Sequence, residues 1–388
     1  MLASGLRRER RGASPAQATG VCLSAAGYAA RVPAKLDLSR SAGELTAHLV
    51  DIASVSGGEQ PLADAIETAL ADLPHLALHR DGNAIVAWTE FGQAERVVLA
   101  GHIDTVPVHS NLPSRVADGV LYGCGSCDMK SGVAVQLRLA AQLTSAVRDV
   151  TYVFYDCEEV EAERNGLLRL SRVRPDLLTA DFAVLLEPTG AVVEGGCQGT
   201  LRADVVARGQ RAHSARSWLG SNAIHSAGGI LDVLRGYAAR QPVVDGLSYH
   251  EGLNAVGIRG GVAGNVIPDE CVVSVNFRFA PDRSAEQAEQ HVREVFAGFE
   301  VAVTDVASGA RPGLGQPAAA SFVAAMNREP RAKLGWTDVA RFDALGIPAV
   351  NFGPGDPQLA HTRDEHVGLD EIEQCETQML AWLGSLAG

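Results

Sequence analysis

Apolar positions along the chain follow two different periods, which predict an alternation of helices and strands. Segments 41–52 and 61–73 place leucine and isoleucine three or four residues apart, as amphipathic helices do, and 129–143 is a third predicted helix. Strands that alternate with helices are typical of an α/β domain with a mostly parallel sheet. The short runs rich in β-branched residues, which predict the strands, are 84–88, 96–100, 150–155 and 180–186.

The pattern changes near residue 198 and changes back after residue 308. Residues 199–308 contain strand-like and helix-like segments in the order β-α-β-β-α-β, which predicts a small α+β, ferredoxin-like unit. A strand at 349–352 and a helix at 369–386 then resume the first pattern. We therefore predict a mostly parallel-sheet α/β domain built from residues 36–198 and 309–388, with a smaller domain inserted at 199–308.

Composition and charge narrow the classes of partner. The net charge of -13 argues against nucleic acid and anionic membranes, and no apolar run reaches the roughly 18 residues that span a bilayer. The seven cysteines are odd in number and irregularly spaced, which favours reduced thiols in a cytoplasmic protein. Residues 1–35 show neither the helical nor the strand spacing of apolar residues. We therefore expect this segment to be a disordered extension or the result of a start codon assigned too early.

Acidic and imidazole side chains gather after three of the predicted strands, where open α/β sheets bind their ligands. Zinc takes imidazole nitrogen and carboxylate oxygen, and a pair of zinc ions needs a shared carboxylate. Two histidines and three carboxylates are enough for such a pair, with one carboxylate left as a base and another to orient an imidazole. The candidates are His102, Asp104, Asp128, Glu158, Glu159, Glu187 and His361.

Each of these signals is weak by itself. Adjacent glutamates such as Glu158 and Glu159 usually form a solvated helix face, and Asp104 could cap a turn before Pro107. A lone histidine such as His102 is more often a core or surface residue than a ligand. The hypothesis of a metal site therefore depends on all of the candidates occurring together.

Eight stretches of the chain resemble, in the same order, the dizinc aminoacylase and carboxypeptidase family. They span roughly residues 36–388 and read GHIDTVP, LYGCGSCDMKSG, YDCEEVE, LLEPT, RGQRAHSARSWLGSNA, GNVIP, NFRF and AHTRDEHV. The resemblance implies two zinc ions per chain, with Co²⁺ able to replace one of them. It implies that His102 and Glu187 bind one zinc, that Glu159 and His361 bind the other, that Asp128 bridges both, and that Glu158 is the general base.

The same resemblance implies further site residues and a homodimer. The inserted domain would form the dimer contact, and His213 would reach the active site of the partner subunit as a catalytic residue. Asp104 would orient His102, and a cis peptide bond is expected after Asp128. The positions that match or suggest substrate contacts are Asn265, Arg278, Thr337 and Arg341, although Arg278 could equally lie on a solvated strand face and Thr337 in a plain turn.

The implied activity is the hydrolysis of a small anionic N-acyl amino acid. Within the family, ARPGLGQP and GWTDVARF are most similar to enzymes that release succinate from N-succinyl-LL-diaminopimelate in lysine and diaminopimelate biosynthesis. Acetylornithine deacetylation and a dipeptidase-like aminoacylase activity are alternatives, and an inactive metal-bound scaffold is an alternative of another class. Cys124 and Cys127 depart from the family pattern and leave open either a redox role or two small thiols lining the pocket.

Overall fold

A mixed eight-stranded sheet forms the centre of residues 35–384, the part of the chain that the computed structural model describes. Its middle strands pair in parallel, whereas antiparallel pairs occur towards both edges. The predicted α/β class is confirmed, with parallel pairing concentrated at the centre of the sheet. In order across the sheet, the strands are Leu76–Asp81, Ala84–Thr89, Asp149–Tyr155, Arg96–His102, Phe182–Leu185, Ala349–Asn351, Glu194–Gly195 and Arg331–Ala332.

Helices cover both faces of this sheet, because its inner strands are apolar on both sides. Ile85 and Leu99 belong to the core on one face, and their neighbours Val86 and Val98 belong to the core on the other. The first face is covered by Ala42–Asp51, Gln60–Ala71, Ser131–Gln142, Pro317–Met326 and Leu369–Leu383, and the second by Gly166–Val173 and Val339–Ala344.

A second, antiparallel sheet of four strands is formed by the middle of the described chain. Its strands lie in the order Gly252–Gly260, Glu270–Phe279, Gly199–Arg208 and Glu300–Ala307. The helices Ala223–Gly236 and Ala285–Val295 pack on one face of this sheet around Leu201 and Phe277. These elements follow the β-α-β-β-α-β order, while the limits of the inserted domain and its role in dimerisation stay predictions.

Short strands complete the architecture. They are Arg115–Ala117, Val120–Tyr122 and His366–Gly368 in a three-stranded sheet, the pair Ala212–His213 and Val266–Ile267, and the pair Val243–Val244 and Leu247–Ser248. No helix in residues 35–384 is long and apolar enough to cross a membrane. The predicted extension at 1–35 lies outside the described residues except for Lys35.

Some elements are not apparent from the apolar period. The edge strand Leu76–Asp81 is half-buried at every position, so that it shows no alternation of buried and exposed side chains. Helix Val339–Ala344 has only six residues, too few to establish a helical period. Helix Pro317–Met326 is rich in alanine, which gives little contrast between its faces.

Gly132 lets the helix Ser131–Gln142 approach the end of the central sheet. A Cβ atom at this position would lie 2.1 Å from the carbonyl oxygen of Leu186 and 2.9 Å from its Cβ. Backbone atoms cannot move aside as a flexible side chain can. The residue after Leu186 is Glu187, so this close approach also fixes one of the candidate metal ligands.

We predict that Gly132→Ala destabilises the protein by about 1–3 kcal/mol, the usual cost of overpacking a tight contact. Gly228→Ala is the matched control, because it also lies in a helix and a Cβ there meets no atom within 4 Å. Alanine at an open helical position should be neutral or stabilise by up to about 1 kcal/mol. Urea unfolding of both variants measures the difference, and equal midpoints would contradict the assignment of Gly132.

Candidate metal centre and active site

Three neighbouring strands of the central sheet end beside candidate ligands. His102 is the last residue of Arg96–His102, and Glu187 follows Phe182–Leu185 by two residues. The adjacent pair Glu158 and Glu159 follows Asp149–Tyr155. The three strands pair in parallel, so their carboxyl ends meet at one edge of the sheet. This topology brings together side chains that lie far apart in the sequence.

Asp128 lies between two groups of candidate ligands. Its Oδ1 atom is 3.1 Å from Nε2 of His102, and its Oδ2 atom is 3.4 Å from Nε2 of His361. Nε2 of His361 is also 2.8 Å from Oε1 of Glu159. Ligand atoms of His102, Asp128 and Glu187 lie within 4.8 Å of one another, as do those of Asp128, Glu159 and His361. The five predicted ligands therefore meet, with Asp128 common to both groups.

This donor set fits a pair of divalent cations. Imidazole nitrogen and carboxylate oxygen are the zinc donors expected at a catalytic site, and the two groups share one carboxylate. Oε1 of Glu187 is buried and has no hydrogen-bond partner among residues 35–384. A buried carboxylate oxygen without a partner is costly, and a bound cation would satisfy it.

Asp104 holds both His102 and the turn that carries the two glutamates. Nδ1 of His102 lies 3.5 Å from Oδ1 of Asp104 and 3.1 Å from the carbonyl oxygen of the same residue. The backbone nitrogens of Glu158 and Glu159 donate to Oδ1 and Oδ2 of Asp104 at 3.0 and 3.1 Å. One buried carboxylate thus orients a candidate ligand, the candidate base and a second candidate ligand.

Glu158 differs from the adjacent Glu159, which contacts His361, in having a side chain without a hydrogen-bond partner among the described residues. Its carboxylate makes no hydrogen bond within the described chain, yet its ligand atom lies within 4.8 Å of those of His102 and Glu159. Burial raises the pKa of Glu158 well above its usual range; the charge of His102 acts in the opposite direction and that of Asp338 in the same direction. Burial likewise raises the pKa of Glu187 to about 7. A carboxylate without a fixed partner is free to accept a proton beside the ligand cluster.

Three of the predicted substrate-binding residues line the same cavity as the ligand cluster. The cavity measures about 1980 Å³ and is lined by Arg278, Thr337 and Arg341 among others. Nε of Arg341 donates to Oδ1 of Asp338 at 3.2 Å, so this guanidinium already has a carboxylate partner. Oγ1 of Thr337 is buried and has no partner among residues 35–384.

His213 and Asn265 lie apart from the ligand cluster of their own chain. Neither lines the cavity. His213 is exposed, and its Nδ1 atom accepts from the Ala215 nitrogen at 3.0 Å. The carbonyl oxygen of Asn265 accepts from the Ser214 nitrogen at 2.9 Å, so the two residues belong to one local structure.

The two thiols of the C-x-x-C stretch are buried and make backbone contacts. Sγ of Cys124 donates to the Val106 carbonyl at 3.6 Å, and Sγ of Cys127 donates to that of Asp356 at 3.2 Å. Burial raises the pKa of both thiols, which disfavours the reactive thiolate. These contacts favour a packing role over a redox role. Neither thiol lines the cavity that holds the ligands.

Glu365, which sequence reasoning did not single out, holds the loop that carries Asp128. Its Oε1 atom accepts from the backbone nitrogens of Cys127 and Asp128 at 3.1 and 3.0 Å, and its Oε2 atom accepts from that of Gly125 at 3.0 Å. The residue is only 2% exposed. It lies four residues after His361 within AHTRDEHV, which is the one signal that could have identified it.

The chain belongs to the peptidase family M20/M25/M40, whose model matches residues 98–383. It is 54% identical over 352 residues to the putative succinyl-diaminopimelate desuccinylase DapE of Mycobacterium tuberculosis strain H37Rv, covering 90% of this chain and 99% of that protein. It is 51% identical over 348 residues to the succinyl-diaminopimelate desuccinylase of Corynebacterium glutamicum, covering 87% of this chain and 94% of that protein. Its fold is similar to that of a tripeptidase from Staphylococcus aureus subsp. aureus Mu50, with a TM-score of 0.72 and 21% identity over 90% and 98% of the two chains. The family predicted from the motifs is confirmed.

We predict that Glu365→Gln weakens divalent metal binding by about 10–100-fold, the usual effect of losing a group that orients a ligand. A glutamine side chain has one acceptor oxygen and one donor nitrogen, so it cannot accept from all three backbone nitrogens. Asp364→Asn makes the same chemical change on an exposed neighbour and should bind metal normally. Competition with a chromophoric zinc chelator measures both affinities. Wild-type affinity in Glu365→Gln would show that the loop does not need this carboxylate.

Proposed function

We propose that this chain is a zinc-dependent amide hydrolase that converts N-succinyl-LL-diaminopimelate into succinate and LL-diaminopimelate. The observation that carries the chemistry is Asp128, which lies between two ligand groups beside the unpartnered carboxylate of Glu158. The choice of acyl group rests on two relatives named as desuccinylases, which match nearly all of their length at more than 50% identity.

Five side chains would hold the metal pair. His102 and Glu187 would bind one cation, Glu159 and His361 would bind the other, and Asp128 would contact both. Zinc ions bound in this way polarise a substrate carbonyl and lower the pKa of a water molecule, and Co²⁺ can replace zinc at such sites.

Glu158 would move the proton during hydrolysis. Its carboxylate accepts a proton from the attacking water and then delivers it to the nitrogen of the departing amine. Asp104 holds the backbone of both glutamates, so Glu158 stays close to the reacting atoms while Glu159 is committed to metal binding. Two adjacent glutamates can therefore perform different tasks.

We also propose that two copies of the chain pair through the four-stranded sheet. The strand Gly252–Gly260 lies at an edge of that sheet and carries exposed Val256 and Ile258, which are 67% and 57% accessible. Trp218 is 76% accessible on the segment that follows His213. Exposed edge strands and apolar patches are normally covered by a partner, and a second copy would place His213 and Asn265 near the other chain's site. The six cysteines within residues 35–384 are unpaired, which supports a cytoplasmic location.

A hydrolysis screen of the zinc-loaded protein tests the proposed reaction. N-succinyl-LL-diaminopimelate should show a far higher kcat/KM than N-acetylornithine, N-acetyl amino acids or dipeptides, because only the first matches the named relatives. Chelator-treated protein is the control and should regain activity when zinc is added. A preference for N-acetylornithine would assign the chain to the deacetylases, and no hydrolysis of any substrate would support the inactive scaffold.

We predict different effects for the two adjacent glutamates. Glu158→Gln should lower kcat by about 10²–10⁴-fold, the usual contribution of a general base, while two metal ions per chain remain bound. Glu159→Gln should instead lower the metal content, because it removes a ligand. Elemental analysis and steady-state kinetics separate the two outcomes. Near-normal kcat in Glu158→Gln would contradict the assignment of the base.

We predict that His213 acts across the dimer as a hydrogen-bond donor to the substrate. His213→Ala should lower kcat by about 10²–10³-fold, as expected when one donor to a developing oxyanion is lost. Mixing His213→Ala with Glu158→Gln under subunit exchange should restore about a quarter of wild-type activity, because half of the randomly formed dimers have one intact site. Mass spectrometry of the mixture verifies exchange. If exchange occurs and activity stays absent, His213 does not act in the partner's site.

A further inference from the structure

Among residues 35–384, six arginine and lysine side chains line the cavity beside the ligand cluster, and they differ in whether a carboxylate neutralises them. Arg202 and Arg278 have no carboxylate within ion-pair distance in this part of the chain. The other four pair with carboxylates at 3.2 Å or less: Arg172 with Glu163, Arg331 and Lys333 with Glu194, and Arg341 with Asp338. Arg202 and Arg278 are therefore the cations of the cavity that remain available to an anionic ligand.

The two arginines lie on the same face of the four-stranded sheet. In the pairing of Gly199–Arg208 with Glu270–Phe279, Asn276 is opposite Arg202 and Thr200 is opposite Arg278. Side chains two residues apart on a strand share a face, so Arg202 and Arg278 are diagonal neighbours, roughly 7–8 Å apart. The opposite face of the sheet is apolar and packs against the helices.

Asn276 fixes the direction of Arg278. Its Oδ1 atom accepts from Nε of Arg278 at 3.1 Å, and its Nδ2 atom donates to Oγ1 of Thr200 at 3.0 Å and to the Leu201 carbonyl at 3.2 Å. The two terminal nitrogens of the Arg278 guanidinium make no hydrogen bond within the described chain. An arginine ordered in this way presents a fork that matches a carboxylate.

Two neighbouring guanidinium groups without an anion between them repel each other. Burial, and after it the charge of Arg202, lowers the pKa of Arg278. The chain has 46 acidic residues against 33 basic ones, so carboxylates are common elsewhere on the molecule. Asp305 is opposite Arg202 on the neighbouring strand and also lines the cavity, but it makes no ion pair with either arginine. The two guanidinium groups therefore leave a positive charge that a ligand carboxylate would offset.

We propose that Arg202 and Arg278 form a carboxylate-binding subsite, in which Arg202 determines specificity for substrates that carry more than one carboxylate. The inference rests on the proposed function, since N-succinyl-LL-diaminopimelate carries a carboxylate on its acyl group and one at each end of the diamino acid. Arg278 binds one substrate carboxylate, and Arg202 binds a second, which is either that of the acyl group or the distal one of the diamino acid. Asn276 is a positioning residue, which holds Arg278 without contacting the substrate.

Arg202→Gln tests this subsite against a matched control on the same strand. Arg208→Gln makes the same change six residues along, where the guanidinium pairs with Glu300 and Glu270 and does not line the cavity. Arg202→Gln should lower kcat/KM for N-succinyl-LL-diaminopimelate by about 10–100-fold, chiefly through KM, because a charge-assisted hydrogen bond is lost. Arg208→Gln should keep the wild-type value.

Substrates that lack one carboxylate identify the group that Arg202 binds. N-acetyl-diaminopimelate lacks the acyl carboxylate, and Nα-succinyl-lysine lacks the distal one. If Arg202 binds the missing group, wild type and Arg202→Gln should hydrolyse that substrate with equal kcat/KM, while the loss persists with the other substrate. If the loss of kcat/KM in Arg202→Gln disappears with either substrate, the proposal is supported, and the missing carboxylate is the one that Arg202 binds. A loss of equal size on all three substrates, or no loss at all, overturns it.

The same measurements separate this inference from the proposed reaction. Wild-type hydrolysis of N-succinyl-LL-diaminopimelate together with an unimpaired Arg202→Gln variant would overturn the subsite alone. If the wild type hydrolyses no succinyl substrate, the proposed reaction fails, and calorimetric binding of succinate and LL-diaminopimelate still tests the arginine pair. Weaker binding of at least one of them by Arg202→Gln than by Arg208→Gln supports the subsite, and equal binding of both overturns it.

Discussion

The crowding of four carboxylates at one edge of the central sheet is the constraint on which the rest of the structure depends. Asp128, Glu158, Glu159 and Glu187 repel one another, and burial adds to the cost of their charges. Each must therefore be held by groups outside the cluster. Asp104 holds the turn of Glu158 and Glu159 through two backbone nitrogens.

The other two carboxylates are held by contacts from remote segments. Glu365 accepts three backbone hydrogen bonds from the loop that ends at Asp128, and it lies more than 230 residues further along the chain. The missing side chain of Gly132 lets a helix press against the backbone of Leu186, immediately before Glu187. The ligand cluster is thus a property of the whole α/β core, because its supports come from segments more than 230 residues apart in the sequence.

The sequence predicts this cluster well because parallel strands end where ligands bind. His102, Glu187 and the glutamate pair could be placed from the strand pattern. Asp128 and His361 are candidates by residue type, and the motif resemblance supplies their expected roles. The supports could not be placed in the same way. A carboxylate that accepts backbone hydrogen bonds, such as that of Glu365, leaves no periodic signal in its own segment. The alternation of Gly199–Arg208 predicts a strand, but it cannot reveal that the Arg202 guanidinium makes no ion pair within residues 35–384, although Asp305 is opposite it on the neighbouring strand.

Charge balance connects the ligand cluster with the recognition of an anionic substrate. Two divalent cations carry four positive charges, which equal the charges of Asp128, Glu158, Glu159 and Glu187 when all four are ionised. Without the cations, these carboxylates would repel a polyanionic substrate throughout the shared cavity, since unpaired charges act over about 8–10 Å at moderate ionic strength. With the cations bound, the cavity retains Arg202 and Arg278 as cations without carboxylate partners within residues 35–384. The central sheet would then supply a neutral reaction centre, and the four-stranded sheet would supply the positive charge that selects a substrate with several carboxylates.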